Sequence, residues 1–168
     1  MREMKKYTAE DIASFGRDEF GYLICPSGDY TAIESFGEVC RFGAECSFGE
    51  RCSFGEVCRF GEKCSFGEKC SFGERCSFGE WCRFGERCKC EGGHEFTGIF
   101  TVNYIGSRNG AAYFWKLTDG GILVRCGCFR GNLEEFAAKV EKTHGDNQHG
   151  RAYKAAIELA KVRFGDEE

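Results

Sequence analysis

The residues of this chain that could do chemistry are its thirteen cysteines and its three histidines. Thiolates and imidazoles bind zinc and iron, and thiols also take part in redox reactions. Nine of the cysteines follow one another at intervals of six residues, from Cys40 to Cys88. The histidines, His94, His144 and His149, all lie outside this series. Any metal or redox site must therefore be built mainly from cysteine.

Two Cys-x-Cys pairs, Cys88/Cys90 and Cys126/Cys128, are the candidate metal ligands. Side chains two residues apart share a face of an extended strand, so the four thiols would converge if the two strands met. His94 could replace one of them. Cys-x-Cys is less specific for zinc than paired Cys-x-x-Cys motifs, and buried core thiols are the simpler interpretation. We expect no cofactor, with zinc as the alternative.

The evenly spaced cysteines belong to nine consecutive units close to Phe-Gly-Glu-x-Cys-(Ser/Arg), from Phe36 to Lys89. Cys and the Phe two residues later share the inward face, and the Ser or Arg between them points to solvent. Gly after Phe permits a corner, on which Glu and x lie in water. Repeats of this kind stack into a solenoid, here predicted over residues 36–90. The predicted core ladders are Phe36, Phe42, Phe48, Phe54, Phe60, Phe66, Phe72, Phe78 and Phe84, with Cys40, Cys46, Cys52, Cys58, Cys64, Cys70, Cys76, Cys82 and Cys88.

The unit resembles the repeat of the hexapeptide left-handed β-helix, with Phe at the aliphatic position and Cys at the small one, as in residues 48–53. The resemblance implies a triangular helix with three units per coil, hence about three coils. A four-sided helix like that of the pentapeptide-repeat proteins is the alternative geometry. Hexapeptide-type acyltransferases and carbonic anhydrases place catalytic or zinc-binding His on their coils. The nine units contain no His, so we expect no enzyme, and an acyltransferase is the last of the alternatives.

The solenoid is flanked by two further segments. Residues 1–35 are predicted to cap its first coil with a short helix and a strand, because the end of a solenoid exposes core and strand edges. The hexad frame decays at Gly92-Gly93. Residues 94–168 are predicted to form a small α+β domain with a three-stranded antiparallel sheet and two helices. Its strands cover residues 96–105, 111–117 and 122–129, and a capping box at Asn132 opens the first helix.

The candidate binding residues lie at an exposed corner of the solenoid and in the C-terminal domain. Trp81 takes the variable corner position, where an indole would contact another chain or domain. Tyr113, Trp115 and Arg125 lie on adjacent predicted strands of one sheet, whose aromatic face is either a binding surface or core. His144 and His149 lie in a polar loop between the two helices and could bind a ligand or an anion.

Residues 127–136 and 143–147 resemble a small domain of phage-borne and related bacterial proteins, for which the resemblance implies no activity. The net charge of −4 shows no basic field, so nucleic acid is not expected as a partner. No stretch resembles a signal peptide or a membrane span. We expect a non-enzymatic binding or assembly protein in the cytoplasm of a bacterial or phage-infected cell, forming a homo-oligomer and directed at a protein partner such as a host factor. The alternative is a cysteine-based metal-binding or redox-responsive protein.

Overall fold

The computed structural model describes residues 3–165. The chain divides into two compact units, Met1–Glu95 and Phe96–Glu168.

The first unit is a β-solenoid that begins with a short helix, α1 (Ala9–Ala13). Eleven short strands follow: β1 (Leu23–Cys25), β2 (Ser35–Phe36), β3 (Cys40–Phe42), β4 (Ser47–Phe48), β5 (Ser53–Phe54), β6 (Arg59–Phe60), β7 (Ser65–Phe66), β8 (Ser71–Phe72), β9 (Ser77–Phe78), β10 (Arg83–Phe84) and β11 (Cys88–Cys90). A 3₁₀ turn, Glu91–Gly93, ends the series.

Three parallel sheets form the sides of the solenoid, in the strand orders β1-β3-β6-β9, β4-β7-β10 and β2-β5-β8-β11. Within the repeat, strand residues pair with those eighteen positions away, as Phe54 does with Phe72. The three-sided cross-section predicted from the sequence is therefore confirmed, and the four-sided alternative is wrong. The solenoid has about four turns rather than three, because β1, the bridge of Asp29 to Ser47 and β2 add a turn before the nine regular units.

Phenylalanine rings fill the solenoid as three columns. Rings eighteen residues apart stack face to face with centroids 4.8–5.3 Å apart. Rings of neighbouring columns meet edge to face, as Phe54 and Phe60 do at 4.9 Å and 89°. Both arrangements are favourable for aromatic pairs. Eight of the nine rings are buried, and Phe84 is half-buried.

The repeat glycines do not supply the corner, which corrects the expectation from sequence. The left-handed backbone lies two residues later, at the x position of all nine units, with φ between 56° and 67°. The glycines are needed for close stacking instead. A Cβ on Gly67 would lie 2.7 Å from the carbonyl carbon of Gly49 and 2.8 Å from the nitrogen of Glu50, both backbone atoms of the turn below.

The N-terminal segment closes the first turn with aromatic rings. Tyr30 is completely buried and stacks on Phe48 at 5.6 Å. Tyr7 in turn stacks on Tyr30 at 5.0 Å, and the ring of Phe15 meets Tyr7 edge-on. The predicted helix start is confirmed, because Thr8 and Asp11 form a reciprocal capping box at α1.

The second unit is a four-stranded antiparallel sheet with two helices. Its elements are β12 (His94–Ile105), β13 (Gly110–Leu117), β14 (Ile122–Cys126), β15 (Phe129–Asn132), α2 (Leu133–Thr143) and α3 (Gln148–Arg163). The sequence predicted one strand over residues 122–129, but the chain reverses within it at Gly127-Cys128. Gly127 adopts φ 61°, which lets Cys126 pair with Phe129 across a two-residue turn.

The helices pack on one face of this sheet. Phe114 and Val124 from the strands meet Phe136 of α2 and Ile157 of α3 in a buried apolar cluster. The predicted capping box of α2 is confirmed, with Asn132 and Glu135 bonded reciprocally. Among residues 3–165, no helix has the length and apolar character needed to cross a membrane.

Candidate functional site

The nine thiols of the repeat form three ladders inside the solenoid, and the members of each ladder are eighteen residues apart in the chain. From Cys58 onward, each thiol of the repeat donates a hydrogen bond to the carbonyl oxygen of a glycine twenty-one residues earlier, over 3.3–3.5 Å. Cys58, Cys64 and Cys70 have no exposed surface. The thiols therefore act as small apolar side chains that also satisfy backbone carbonyls.

Contact with a neighbouring thiol and burial disfavour the thiolate form of several cysteines in the ladders. Contact with Cys46 and burial raise the pKa of Cys64 to about 12. Contact with Cys52 and burial raise the pKa of Cys70 to about 11. The same thiol–thiol contacts lower the pKa of the partner thiols, Cys46 and Cys52. Only the thiols with a raised pKa, such as Cys64 and Cys70, are therefore poor nucleophiles and poor metal ligands at neutral pH.

The four candidate zinc ligands from sequence are in different environments. Cys88 and Cys90 are buried on the inward face of β11, and their thiols donate to the carbonyl oxygens of Gly67 at 3.4 Å and of His94 at 3.5 Å. Cys126 is half-buried and Cys128 exposed, on either side of the Gly127 turn, so they do not share a strand face as expected. Within the described part of the chain, no group of three or more Cys, His, Asp or Glu side chains could hold a metal ion.

Trp81 lies at a corner of the solenoid with its indole 75% exposed. Its backbone is left-handed, with φ 67°, a conformation that costs an L-residue about 1–2 kcal/mol. Because the indole is exposed, its burial cannot offset this conformational cost. Lys63 lies one turn below it on the same corner, as shown by the 2.8 Å bond from its amide to the Glu80 carbonyl oxygen. Arg83 follows two residues after Trp81 and is also exposed.

The predicted aromatic face of the second unit is a cation–π cluster. The guanidinium of Arg125 lies 4.5 Å from the ring of Tyr113 and 5.7 Å from that of Trp115. The two rings stack at 5.6 Å, and they are only 6% and 2% exposed. A role for these three residues in binding a partner stays a prediction.

The predicted histidine loop is shorter than expected, because α3 begins at Gln148 with Asn147 as its N-cap. The turn brings the rings of His144 and His149 to 5.6 Å from each other, and His144 also contacts Tyr153 at 5.7 Å. The structure thus places the two histidines together, and a ligand for them stays a prediction.

Comparison with protein families gives a match in the solenoid. Residues 40–55, 57–73, 69–85 and 75–89 are similar to the RNA-binding, Nab2-type zinc finger of CCCH type. These matches cover well under half of the chain and do not extend into the second unit. The family is not the hexapeptide repeat, and the resemblance of the second unit to a phage-associated domain stays a prediction. No curated protein and no solved structure matches the chain.

This match corrects the prediction about nucleic acid. Net charge alone had excluded nucleic acid from the expected partners, and that prediction is wrong, because the matching family is RNA-binding. The match also favours the alternative of a cysteine-based metal-binding protein over that of a simple scaffold.

The residues present do not fit a zinc finger in this conformation. A CCCH finger needs one histidine beside three cysteines, but residues 40–89 contain none. Three of the four matched segments also overlap, so neighbouring fingers would have to share cysteines. The thiols lie in separate ladders instead of converging on one point, as tetrahedral coordination requires. No zinc site in this conformation is therefore derived from the match.

Sequence reasoning identified Trp81 but missed the basic residues beside it. Lys63 and Arg83 are eighteen residues and two residues away along the chain, and only the turn of the solenoid brings Lys63 to the same corner. The predicted three units per coil already imply this eighteen-residue spacing, and Arg83 is two residues from Trp81 in the chain, so both could have been found from the sequence.

Proposed function

We propose that the protein is a non-enzymatic, cytoplasmic RNA-binding protein whose solenoid presents a binding surface at the corner of Lys63 and Trp81, next to Arg83 at the start of β10. The observation that carries the proposal is the exposure of Trp81 beside two cations, within the part of the chain that is similar to an RNA-binding family. Exposed aromatic rings on which bases stack, flanked by basic side chains, are typical of single-strand binding sites. The thirteen free cysteines support the cytoplasmic location.

Charge at this corner is balanced, which limits the expected affinity. Glu62 and Glu80 precede Lys63 and Trp81 directly on the same corner. Stacking on the indole therefore has to supply most of the binding free energy, about 1–3 kcal/mol per base. Binding should be sequence-tolerant, because every base has a face that can stack.

The test is fluorescence polarisation with a labelled twelve-nucleotide single-stranded RNA of mixed sequence. Trp81→Ala should weaken binding about five- to hundredfold, and Trp81→Phe should retain part of the affinity. Two phosphate contacts, by Lys63 and Arg83, would give a slope of log K against log salt of about −1.4 for a single strand. Lys63→Gln and Arg83→Gln should each reduce that slope.

The control variant is Val57→Ala, which changes the x position of another corner without a change of charge. It should leave RNA affinity unchanged. Equal affinity of Trp81→Ala and the wild type, or no RNA binding by the wild type at low salt, would overturn the proposal.

A second candidate function is cysteine-based metal binding, which the family match favours because the matched segments hold all nine repeat cysteines. It requires the thiols to leave their hydrogen bonds to glycine carbonyls. Native mass spectrometry of protein purified without chelator, together with far-UV circular dichroism before and after zinc is added, distinguishes the two functions. Stoichiometric zinc with loss of the strand signal supports metal binding, and metal-free protein that binds RNA supports the main proposal.

A further inference from the structure

The second unit contains a cavity of about 270 Å³ between the β12–β13 turn, the β14–β15 turn and the two helices. All of its lining residues belong to the second unit, so a ligand bound there is independent of the proposed RNA-binding function. The lining comes from four separated parts of the chain. The cavity is therefore a product of the fold and not of a local motif.

The floor of the cavity is apolar and largely aromatic. Phe129 and Phe136 contribute rings 5.3 Å apart, and Tyr153 meets Phe136 edge-on at 5.7 Å. Ile105 and Val140 complete this surface. A flat apolar group could therefore enter between side chains that already favour aromatic contacts.

The polar part of the lining has one sign of charge. Arg108 and Lys139 line the cavity together with His144, whereas no Asp or Glu does. Arg108 and Lys139 are exposed, and neither has a carboxylate partner within residues 3–165. Two cations without a partner at the rim of an apolar cavity favour an anionic ligand.

Lys154, a neighbouring cation outside the cavity, differs from Arg108 and Lys139 because it has carboxylate partners. Lys154 forms ion pairs with Glu141 at 2.9 Å and with Asp146 at 3.6 Å, and it does not line the cavity. Glu141 and Asp146 are thus paired with Lys154, whereas no ion pair within residues 3–165 compensates the charge of Arg108 or Lys139.

We propose that this cavity binds a small aromatic acid, with the flat ring system on Phe129, Phe136 and Tyr153 and the carboxylate or phosphate between Arg108 and Lys139. A volume of about 270 Å³ is large enough for two fused rings with an acid group.

The test uses 2-naphthoate as the probe, 2-naphthamide as the uncharged control and 2-naphthyl phosphate as the phosphate form, measured by isothermal titration calorimetry on the full chain. The proposal expects the acid to bind at least about tenfold more tightly than the amide. The better of the two acids then identifies the natural acid group. Equal binding of acid and amide, or no binding of either acid at 1 mM, would overturn the proposal.

Variants locate the site. Arg108→Gln and Lys139→Gln should each weaken binding of the preferred acid about fivefold. Lys142→Gln removes the same charge from the same helix, but Lys142 does not line the cavity. The affinity of this variant for the acid should therefore equal that of the wild type. Ala111→Leu narrows the cavity and should weaken the acid and the amide alike. Equal effects of Lys139→Gln and Lys142→Gln would show a non-specific charge effect and contradict the assigned site.

Discussion

The glycine after each phenylalanine is the residue that fixes how closely the turns of the solenoid approach. Its φ is not positive in any of the nine units, so its backbone conformation is open to other residues. From Gly55 onward, however, a Cβ would meet backbone atoms of the preceding turn at 2.6–2.9 Å. These backbone atoms of the turn below cannot give way as a flexible side chain can.

We expect Gly67→Ala to lower the free energy of unfolding by about 2–3 kcal/mol, because the added methyl overpacks a backbone contact. Gly37→Ala is the matched control. It introduces the same methyl in the first six-residue repeat, where nothing lies within 4 Å of the added Cβ. This variant should be neutral or stabilising by up to about 1 kcal/mol. Urea denaturation followed by far-UV circular dichroism measures both, and equal effects of the two variants would contradict the stacking role.

The sequence predicts the inward direction of Phe and Cys correctly, because alternation along a strand is a local property of the chain. It predicts the role of glycine wrongly, because the atoms that exclude a side chain from Gly67 belong to residues eighteen positions earlier. The reversal at Gly127-Cys128 was missed for a related reason. One glycine within an apolar run does not show whether the strand continues or turns back.

At the scale of elements, each ladder protects its thiols by enclosing them between aromatic columns and strands. The ladder thiols are buried, apart from the half-buried Cys82, whereas Cys128 lies exposed on the turn between β14 and β15. Reactivity should therefore differ between elements although the residue type is the same.

Titration with an aromatic disulfide reagent at pH 8 should modify one thiol rapidly in the native protein, and Cys128→Ser should remove that fast phase. Half-buried Cys126 and Cys82 should react more slowly. All thirteen thiols should react once the protein is unfolded in urea. Rapid reaction of three or more thiols in the native state would show that the ladders are open to solvent, and would favour the metal-binding alternative.

The candidate site could be predicted in part at this scale. The corner position of Trp81 follows from the hexad frame, and so does its exposure. The cavity of the second unit could not be predicted, because it needs the spatial relation of two turns and two helices. The residues that line it, such as Arg108 and Lys139, carry no local signal.

At the scale of the whole molecule, the buried phenols and thiols make stability depend on pH. Burial raises the pKa of Tyr153 to about 12, and it also raises the pKa of Cys126 above its ordinary value. In the unfolded chain the two groups ionise near pH 10 and pH 8.5, respectively. Their contribution is therefore complete below about pH 8.5 and is lost as the pH rises through the folded pKa values.

We expect the free energy of unfolding to fall progressively from about pH 9 to pH 12, because the unfolded chain releases these protons first. In Tyr153→Phe the decline between about pH 10 and pH 12 should be shallower. Urea denaturation at constant ionic strength across this range measures the effect. A stability that stays constant or rises with pH in the wild type would contradict the assignment.

The eighteen-residue pairing of the solenoid also has a consequence for synthesis on the ribosome. Every new hexad pairs with a strand at the same short distance along the chain. Forming each strand pair therefore costs the same small loop-closure entropy. The rod can therefore zip up from its N-terminal end while the remainder is still being translated. Because the repeat units are nearly identical, a shift of the strand pairing by one turn would lose the pairing of only one turn. Tyr30 begins the column of Phe48 with a tyrosine, and Tyr7 stacks on it; because neither tyrosine recurs in the nine repeat units, the two rings provide the starting point that holds the chain in register.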